Sequence, residues 1–307
     1  MRKLPLVIIN SPTATGKTEL AVKLALEFGG EIISADSMQV YRYLDIGTAK
    51  PTMEERKGVR HHLIDVLNPD EEFNVVLFVQ KARELIHDLA GRGRPVFVVG
   101  GTGLYIRALL KGIIDTPDAD EMIRNHYRSL RDTRGKPYLY DLLRARDAAA
   151  AARINPNDSV RIIRALEVLD QTGESITVKQ RQHAFQDCPY RTYKIGIRFE
   201  RDALKRKIES RTEKMIADGL LDEVKKVLKM GYSENLKSLQ SLGYKQIIGF
   251  THQKYDWQHA VDSIKRATWQ YARRQMTWFH ADKDINWFSP DECDTIRQQV
   301  EKFREMA

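Results

Sequence analysis

The chain of 307 residues contains only two cysteines, Cys188 and Cys293. That is too few for a disulfide framework and lacks metal-type spacing, so a reducing, cytoplasmic setting is expected. No apolar run approaches the roughly 20 residues needed to cross a bilayer. The N-terminal one, Leu4 to Ile9, is short and no small-residue cleavage site follows it, so it reads as a first strand rather than a leader. Internal repeats and low-complexity linkers are also missing. One large domain, or a domain with an insertion, is what this length then allows. His61 and His62 are adjacent but have no partners at ligand spacing, so they read as part of a polar loop.

Charge is plentiful but uneven. The formal net charge is +8, yet residues 1–120 carry 15 basic and 16 acidic side chains. Residues 121–185 carry 12 and 8, residues 186–280 carry 19 and 11, and residues 281–307 carry 4 and 7. The N-terminal part is therefore near neutrality, whereas the middle and the following segment are basic. Such a division suits one region handling a small ligand and another attracting a polyanion. Solvated helix faces rich in Lys and Arg would give the same count.

Periodicity predicts strands at Leu4–Asn10, Glu31–Ala35 and Val96–Val99. These alternate with helices at Thr18–Phe28 and Phe73–Leu89 and with a helix start after Gly103. Alternation of this kind implies a parallel sheet covered on both faces. Between Asp120 and about Gln186 there is helical periodicity without a convincing strand, which reads as an all-helical insertion. A returning strand is expected at Tyr193–Phe199, then helices at Asp202–Ala217, Leu220–Met230 and Trp257 to about His280. A short strand Ile285–Phe288 and a last helix complete the chain. The division expected is 1–118, 119–187 and 188–307.

Ser11-Pro12-Thr13-Ala14-Thr15-Gly16-Lys17-Thr18 follows a strand and opens a helix, the context of a phosphate-binding loop. Backbone N–H groups and the helix N-terminus would hold phosphate oxygens, Lys17 would add charge, and the Thr18 hydroxyl could ligate Mg²⁺. Ser11 stands where the motif has glycine, and a Cβ restricts positive φ, so the loop's entry could be shaped differently. The motif implies a phosphate or diphosphate ligand without establishing ATP. A kinase of a nucleoside or small metabolite is the alternative, with Asp36 at the end of the second strand as its magnesium carboxylate. The basic, aromatic-bearing C-terminal half exceeds what such a kinase needs.

Taken in order, SPTATGKT, ISADSMQVYRYLDIGTAKP, HHLIDVLNPDEEF, VVGGTGLYIRAL, NDSVRIIRALEV, GLLDEVKKVL, SLGYKQIIGF and YARRQMTWF resemble the tRNA dimethylallyltransferase (tRNA isopentenyltransferase) family from Val7 to about Phe279. The resemblance implies a P-loop NTPase-like α/β fold and transfer of a dimethylallyl group from its diphosphate to N6 of the adenosine 3′ to the anticodon. It implies Asp36 as the base and Thr102 as the hydroxyl facing the leaving oxygen. Lys17, the loop Ser11–Thr18 and Arg211 would bind the diphosphate, with Mg²⁺ on Thr18. A surface ion pair with Glu209 or Glu213 is the competing reading of Arg211. The tRNA contacts it implies are Asp36, Ser37, Met38, Gln39, Thr102, Arg124, Val160, Arg161, Ile162, Ile163, Arg164, Arg273 and Arg274. Arg161 and Arg164, three apart, would share a helix face. Val160 departs from the family's Gln and His280 from its Arg, so a polar contact at each is in doubt. Trp269, Tyr271 and Trp278 read as core by helical spacing. The partners expected are a tRNA anticodon stem-loop and dimethylallyl diphosphate, with the enzyme a monomer.

Overall fold

A computed structural model describes residues 3–184 and 189–306; Cys188 lies outside the described residues. By its contacts the chain divides into two units, Met1–Leu110 with Cys188–Ala307, and Lys111–Asp187. The N-terminal part runs β1 (Leu4–Asn10), α1 (Lys17–Phe28), β2 (Glu31–Ser34), α2 (Met53–Arg56), β3 (His61–His62), α3 (Val75–Gly91), β4 (Val96–Gly100) and α4 (Gly103–Lys111). The middle is helical: α5 (Glu121–Arg146), α6 (Ala148–Ala151), α7 (Ser159–Thr172) and α8 (Ile176–His183). The chain returns with β5 (Tyr190–Ile197), α9 (Arg201–Ala217), α10 (Leu220–Lys229), α11 (Tyr244–Thr251), α12 (Trp257–His280), β6 (Ile285–Phe288) and α13 (Cys293–Glu305).

The strands form one sheet in the order β3-β2-β4-β1-β5-β6, parallel at every pairing. With helices on its faces this is the expected P-loop-like α/β architecture. Leu6–Ile9 and Val96–Val99 are buried on both faces, as central parallel strands require. Val7, Ile9, Phe97 and Val99 pack with Leu20, Ala21 and Leu24 of α1 and with Ile296, Val300 and Phe303 of α13. The alternating residues Leu6, Ile8, Ile33 and Val98 are equally buried, and α3 packs against β2 and β4.

Two local expectations need correction. The helix expected from Phe73 starts at Val75, because Asn74 is its N-cap and accepts the N–H groups of Val76 and Leu77. Phe73 is instead buried with its ring edge-on to Tyr105. His61 and His62 are not a loop but the edge strand β3, paired with Ile32 and Ile33. Nε2 of the buried His62 lies 2.7 Å from the Glu31 carboxylate, which explains how a polar pair sits in a sheet.

Within the helical unit, α5 breaks at Gly135 (φ 87°), two residues before Pro137. Tyr127, Leu139 and Leu143 of α5 pack on Ile162, Ile163, Ala165 and Leu166 of α7. Beside this core lies Glu167, whose side chain is fully buried. Its carboxylate accepts the Asp120 N–H at 2.7 Å, Arg124 Nε at 3.0 Å and Arg164 Nη1 at 2.8 Å. Removing one member of a buried charge cluster strands the others. Glu167→Ala is therefore expected to destabilise this unit by about 3 kcal/mol, and Glu167→Gln by less, in thermal unfolding followed by circular dichroism. An unshifted midpoint in Glu167→Ala would refute the assignment.

Candidate active site

Because the strands are parallel, the loops after β1, β2 and β4 leave the same edge of the sheet, where α/β proteins bind ligands. The first is the phosphate loop. Gly16 adopts φ 79°, a left-handed conformation that lets α1 begin at Lys17 with its N–H groups free toward the loop. Thr15 Oγ1 donates to the Pro12 carbonyl at 2.9 Å and closes the turn. Ser11 does not strain the entry, since its φ is not positive. Its buried hydroxyl accepts the Ile197 N–H at 2.7 Å, tying the loop to the end of β5.

The second loop, Gly101-Thr102, approaches the first through α12. Gln275, 5% exposed, accepts the Thr13 N–H at 2.9 Å and donates to the Gly101 carbonyl at 2.9 Å. A Cβ at position 101 would stand 2.2 Å from the Gln275 amide nitrogen, so any side chain there would push that amide out of its bridging place. The third loop carries Asp36. Its Oδ1 accepts the N–H groups of Met38 (2.8 Å) and Gln39 (3.3 Å), leaving Oδ2 without a hydrogen-bond partner among the described residues. The Ser37 N–H donates to Thr102 Oγ1 at 3.3 Å, joining the second loop to the third. A hydroxyl that accepts one N–H still has its own proton to give to a ligand.

These loops open on a cavity of about 560 Å³ within the sheet-containing unit, a size ordinary for a small-molecule site. Thr13, Lys17, Thr18, Asp36, Arg211 and Tyr271 all line it. Lys245 and Arg274 add positive charge, Asp36 is the one carboxylate among the lining residues, and Ile32, Ile208, Met215 and Ile264 supply apolar wall. Burial, with the neighbouring Arg211 charge, lowers Lys17 to about 8 against the opposing pull of Asp36. Burial likewise lowers Arg211, partly offset by Asp36 and Glu55. No ion pair holds Arg211 among the described residues: Glu213 is paired with Lys265 and Glu209 with Lys205. The competing surface-pair reading of Arg211 thus fails.

A cation-poor anion would suit this wall, and so would one that brings a metal. For a divalent ion the lining offers one carboxylate, Asp36, and, at the start of α1, the Thr18 hydroxyl. Mg²⁺ bound chiefly by phosphate oxygens and water needs no more from a protein, so the donor set fits a substrate-borne ion.

Other residues singled out in the sequence are placed unevenly. Ser37, Met38, Gln39 and Arg274 line the cavity. Tyr271 is not core: it faces the cavity, within interaction range of Thr102 and Gln275, its phenol pushed up to about 12 by burial and the Asp36 charge. Trp269 packs against Leu204, Ile208 and Ala272, Trp278 lies against Gly103, and the His280 ring lies tilted against Trp287, centroids 4.8 Å apart. Arg273 is exposed.

In the helical unit, Ile162 and Ile163 are core residues, so their side chains cannot meet RNA. Arg124 and Arg164 are engaged with Glu167, and Arg164 also donates to Thr116 Oγ1 and the Pro117 carbonyl. The two arginines of α7 therefore serve differently; Arg161 and Val160 face outward, Val160 at 78% exposure. Gln275 was missed in the sequence, although a glutamine on the stripe of Ala260, Ile264, Ala272 and Phe279 was the available signal.

Comparisons with known proteins agree along the chain. The family model described as IPP transferase matches residues 39–282, and that described as isopentenyl transferase matches residues 4–70. A protein named tRNA dimethylallyltransferase 2 from Syntrophus aciditrophicus is 54% identical over 276 residues, covering 90% of this chain and 89% of the relative. Its namesake from Geotalea uraniireducens is 51% identical over 274 residues, covering 89% and 88%. The crystal structure of the full-length tRNA isopentenylpyrophosphate transferase from Bacillus halodurans matches with a TM-score of 0.74 at 39% identity, over 99% of this chain and 98% of that one. A eukaryotic dimethylallyltransferase, solved acting on tRNA, matches at 0.78 and 25% identity, over 93% and 74%.

Proposed function

The chain belongs to the IPP transferase family, and from that premise we propose that its cavity transfers a dimethylallyl group from dimethylallyl diphosphate to N6 of the adenosine 3′-adjacent to the anticodon of tRNA, releasing diphosphate. The observation that carries this reading is the meeting of three loops in one cavity. There a lone carboxylate, Asp36, shares an apolar-walled space with Lys17 and Arg211. Cations take the diphosphate, apolar wall takes the isoprenoid, and the carboxylate waits for an N–H.

The steps follow from those groups. Lys17, Arg211 and the N–H groups of the phosphate loop bind the diphosphate and favour its departure. Mg²⁺, held by Thr18 and diphosphate oxygens, would supply further neutralisation of the leaving group's charge. The extruded adenine presents N6, a poor nucleophile because its lone pair is conjugated with the ring. Asp36 Oδ2 accepts one N6 hydrogen as the nitrogen lone pair bonds to the allylic carbon. The carbon–oxygen bond breaks, its electron pair leaves on diphosphate, and the proton passes to Asp36. The Thr102 hydroxyl donates to the departing oxygen, an interaction that strengthens as charge develops there. Apolar wall keeps water from the carbon while it has cationic character.

A monomer is proposed as the acting unit. Among the described residues no helix is long and apolar enough to cross a membrane, and a cytoplasmic enzyme meeting tRNA there is the simplest setting. Nothing in the comparisons favours the kinase alternative. The deciding assay supplies Mg²⁺ and labelled dimethylallyl diphosphate with an anticodon stem-loop or with AMP. Label in RNA alone is the expected result; label in AMP, or label in neither with ADP formed when ATP replaces the isoprenoid diphosphate, overturns the reading.

Arg273, exposed on α12 beyond the cavity lining, is suited to a backbone phosphate. Arg273→Ala should weaken tRNA binding, reduce the slope of log K against log salt by about 1, and leave KM for the isoprenoid diphosphate unchanged. Titrations across a salt series, with steady-state kinetics, check it.

A further inference from the structure

The blocks GLLDEVKKVL and SLGYKQIIGF are prominent in the sequence, yet the chemistry above uses little of them. Their most extensively hydrogen-bonded side chain is Glu223 on α10. Its Oε2 accepts the N–H groups of Asp45 (2.9 Å) and Ile46 (2.8 Å). Its Oε1 accepts the Gly47 N–H (3.1 Å) and the hydroxyl of Tyr244 (2.6 Å). Tyr244 is fully buried at the start of α11, and a Cβ at position 47 would sit 2.4 Å from its ring. Three successive backbone donors on one carboxylate form an anion nest, here filled by a side chain of the same protein.

The segment so gripped forms part of the cavity. Gly47, Thr48 and Ala49 line the wall. The Thr48 and Ala49 carbonyls accept from Gln39 Nε2 at 3.4 and 3.2 Å, and Gln39 Oε1 accepts the Ser34 hydroxyl at 3.1 Å. The Gln39 N–H donates in turn to Asp36 Oδ1. Lys50 secures the far end of the segment, donating to the Tyr41 carbonyl at 2.8 Å and pairing with Asp45 and Asp65. Hydrogen bonds joined by short stretches of backbone therefore lead from Glu223 through residues 45–49 and Gln39 to the carboxylate of Asp36.

We infer that Glu223 is a positioning residue for the prenyl transfer, one that fixes the Asp36 carboxylate through the 45–49 segment and Gln39 without touching substrate. This rests on the function proposed above. Charge is essential to the device because four donors converge on two oxygens, and a carboxylate is acceptor-only. Glu223→Gln keeps the shape but turns an NH₂ toward at least one of those donors. A displacement of about 1 Å at a reacting group costs about 10²-fold in rate, whereas the phosphate loop has no part in this run of bonds.

The test uses the full chain, with single-turnover transfer from dimethylallyl diphosphate to an anticodon stem-loop. Glu223→Gln should lower the rate of transfer about 10- to 100-fold while KM for the diphosphate stays within about twofold. Combined with Gln39→Ala, the losses should fall well short of multiplying, since both act on one run of bonds. An unchanged rate in Glu223→Gln, or a double variant whose losses multiply, overturns the inference. Should Glu223→Gln not yield folded protein, Tyr244→Phe decides. It removes one bond to Glu223 and retains the buried ring, and a rate loss of about threefold, again non-multiplicative with Gln39→Ala, is expected. If the unaltered protein labels no RNA, the functional reading itself has failed; if it labels RNA and these variants behave like it, only the role of Glu223 is lost.

Discussion

Asp36→Asn should reduce the rate of prenyl transfer about 10³-fold while leaving the affinity for both substrates almost unchanged. Asparagine can still accept the Met38 and Gln39 N–H groups through its Oδ1, so the turn that Asp36 makes is preserved. What it cannot do is take a proton from N6. The substitution thereby separates the chemistry from the fold, which Asp36→Ala would not do. Thr102→Ala should act on the same step but less strongly, about 10²-fold, because a donor to a leaving oxygen assists a departure that Lys17 and Arg211 already favour. Both losses belong in the single-turnover rate, with filter binding to tRNA as the control. A large fall in tRNA affinity with a normal rate would contradict both assignments.

Lys17→Met should lower kcat/KM for dimethylallyl diphosphate about 10³-fold, since a desolvated cation facing phosphate is lost. The unaltered enzyme carries a further signature. Burial and Arg211 hold Lys17 at about 8 in the free protein, well below its ordinary 10.5. Above pH 8 the free enzyme loses that positive charge, so kcat/KM for the diphosphate should decline as pH rises from 8 to 10. The decline should be absent in Lys17→Met. Stability runs the other way. Between pH 8 and 10.5 the unfolded chain binds the proton that the folded chain has released, so the contribution of Lys17 to stability grows with rising pH across that window. Activity that falls while the unfolding midpoint does not is therefore the expected combination. A pH profile of kcat/KM identical in the two proteins would refute the assignment of Lys17.

Much of this was legible in residues close together in sequence. The phosphate loop, the long helix Trp257–His280 and the strand Ile285–Phe288 are local patterns, and the structure has them at those residues. The loop of Asp36 and the Gly101-Thr102 turn were recognisable because each is a short block at a strand end. Contacts across the chain were harder to see. Tyr271 reads as a member of a helical stripe and Gln275 draws no notice in the sequence, and only the fold reveals that Tyr271 faces the cavity and that Gln275 ties the phosphate loop to the Gly101 turn. Ile162 and Ile163 carried the opposite error: they lie in a block rich in arginine, but the period of α7 turns them into the core. Arg124 and Arg164 look like contacts for RNA in the sequence because nothing local shows that Glu167 is buried between them. A two-residue strand such as β3 has too few positions to display a period at all.

The amide of Gln275 joins Thr13 to a residue 262 positions later. A ribosome making this protein has thus long since finished the phosphate loop before the helix that braces it exists. Until that helix emerges from the exit tunnel, the nascent polypeptide lacks the strut between its two glycine turns. Chains halted by premature termination upstream of Gln275 would keep the Walker-type signature in full and still be unable to assemble the prenyl-transfer centre.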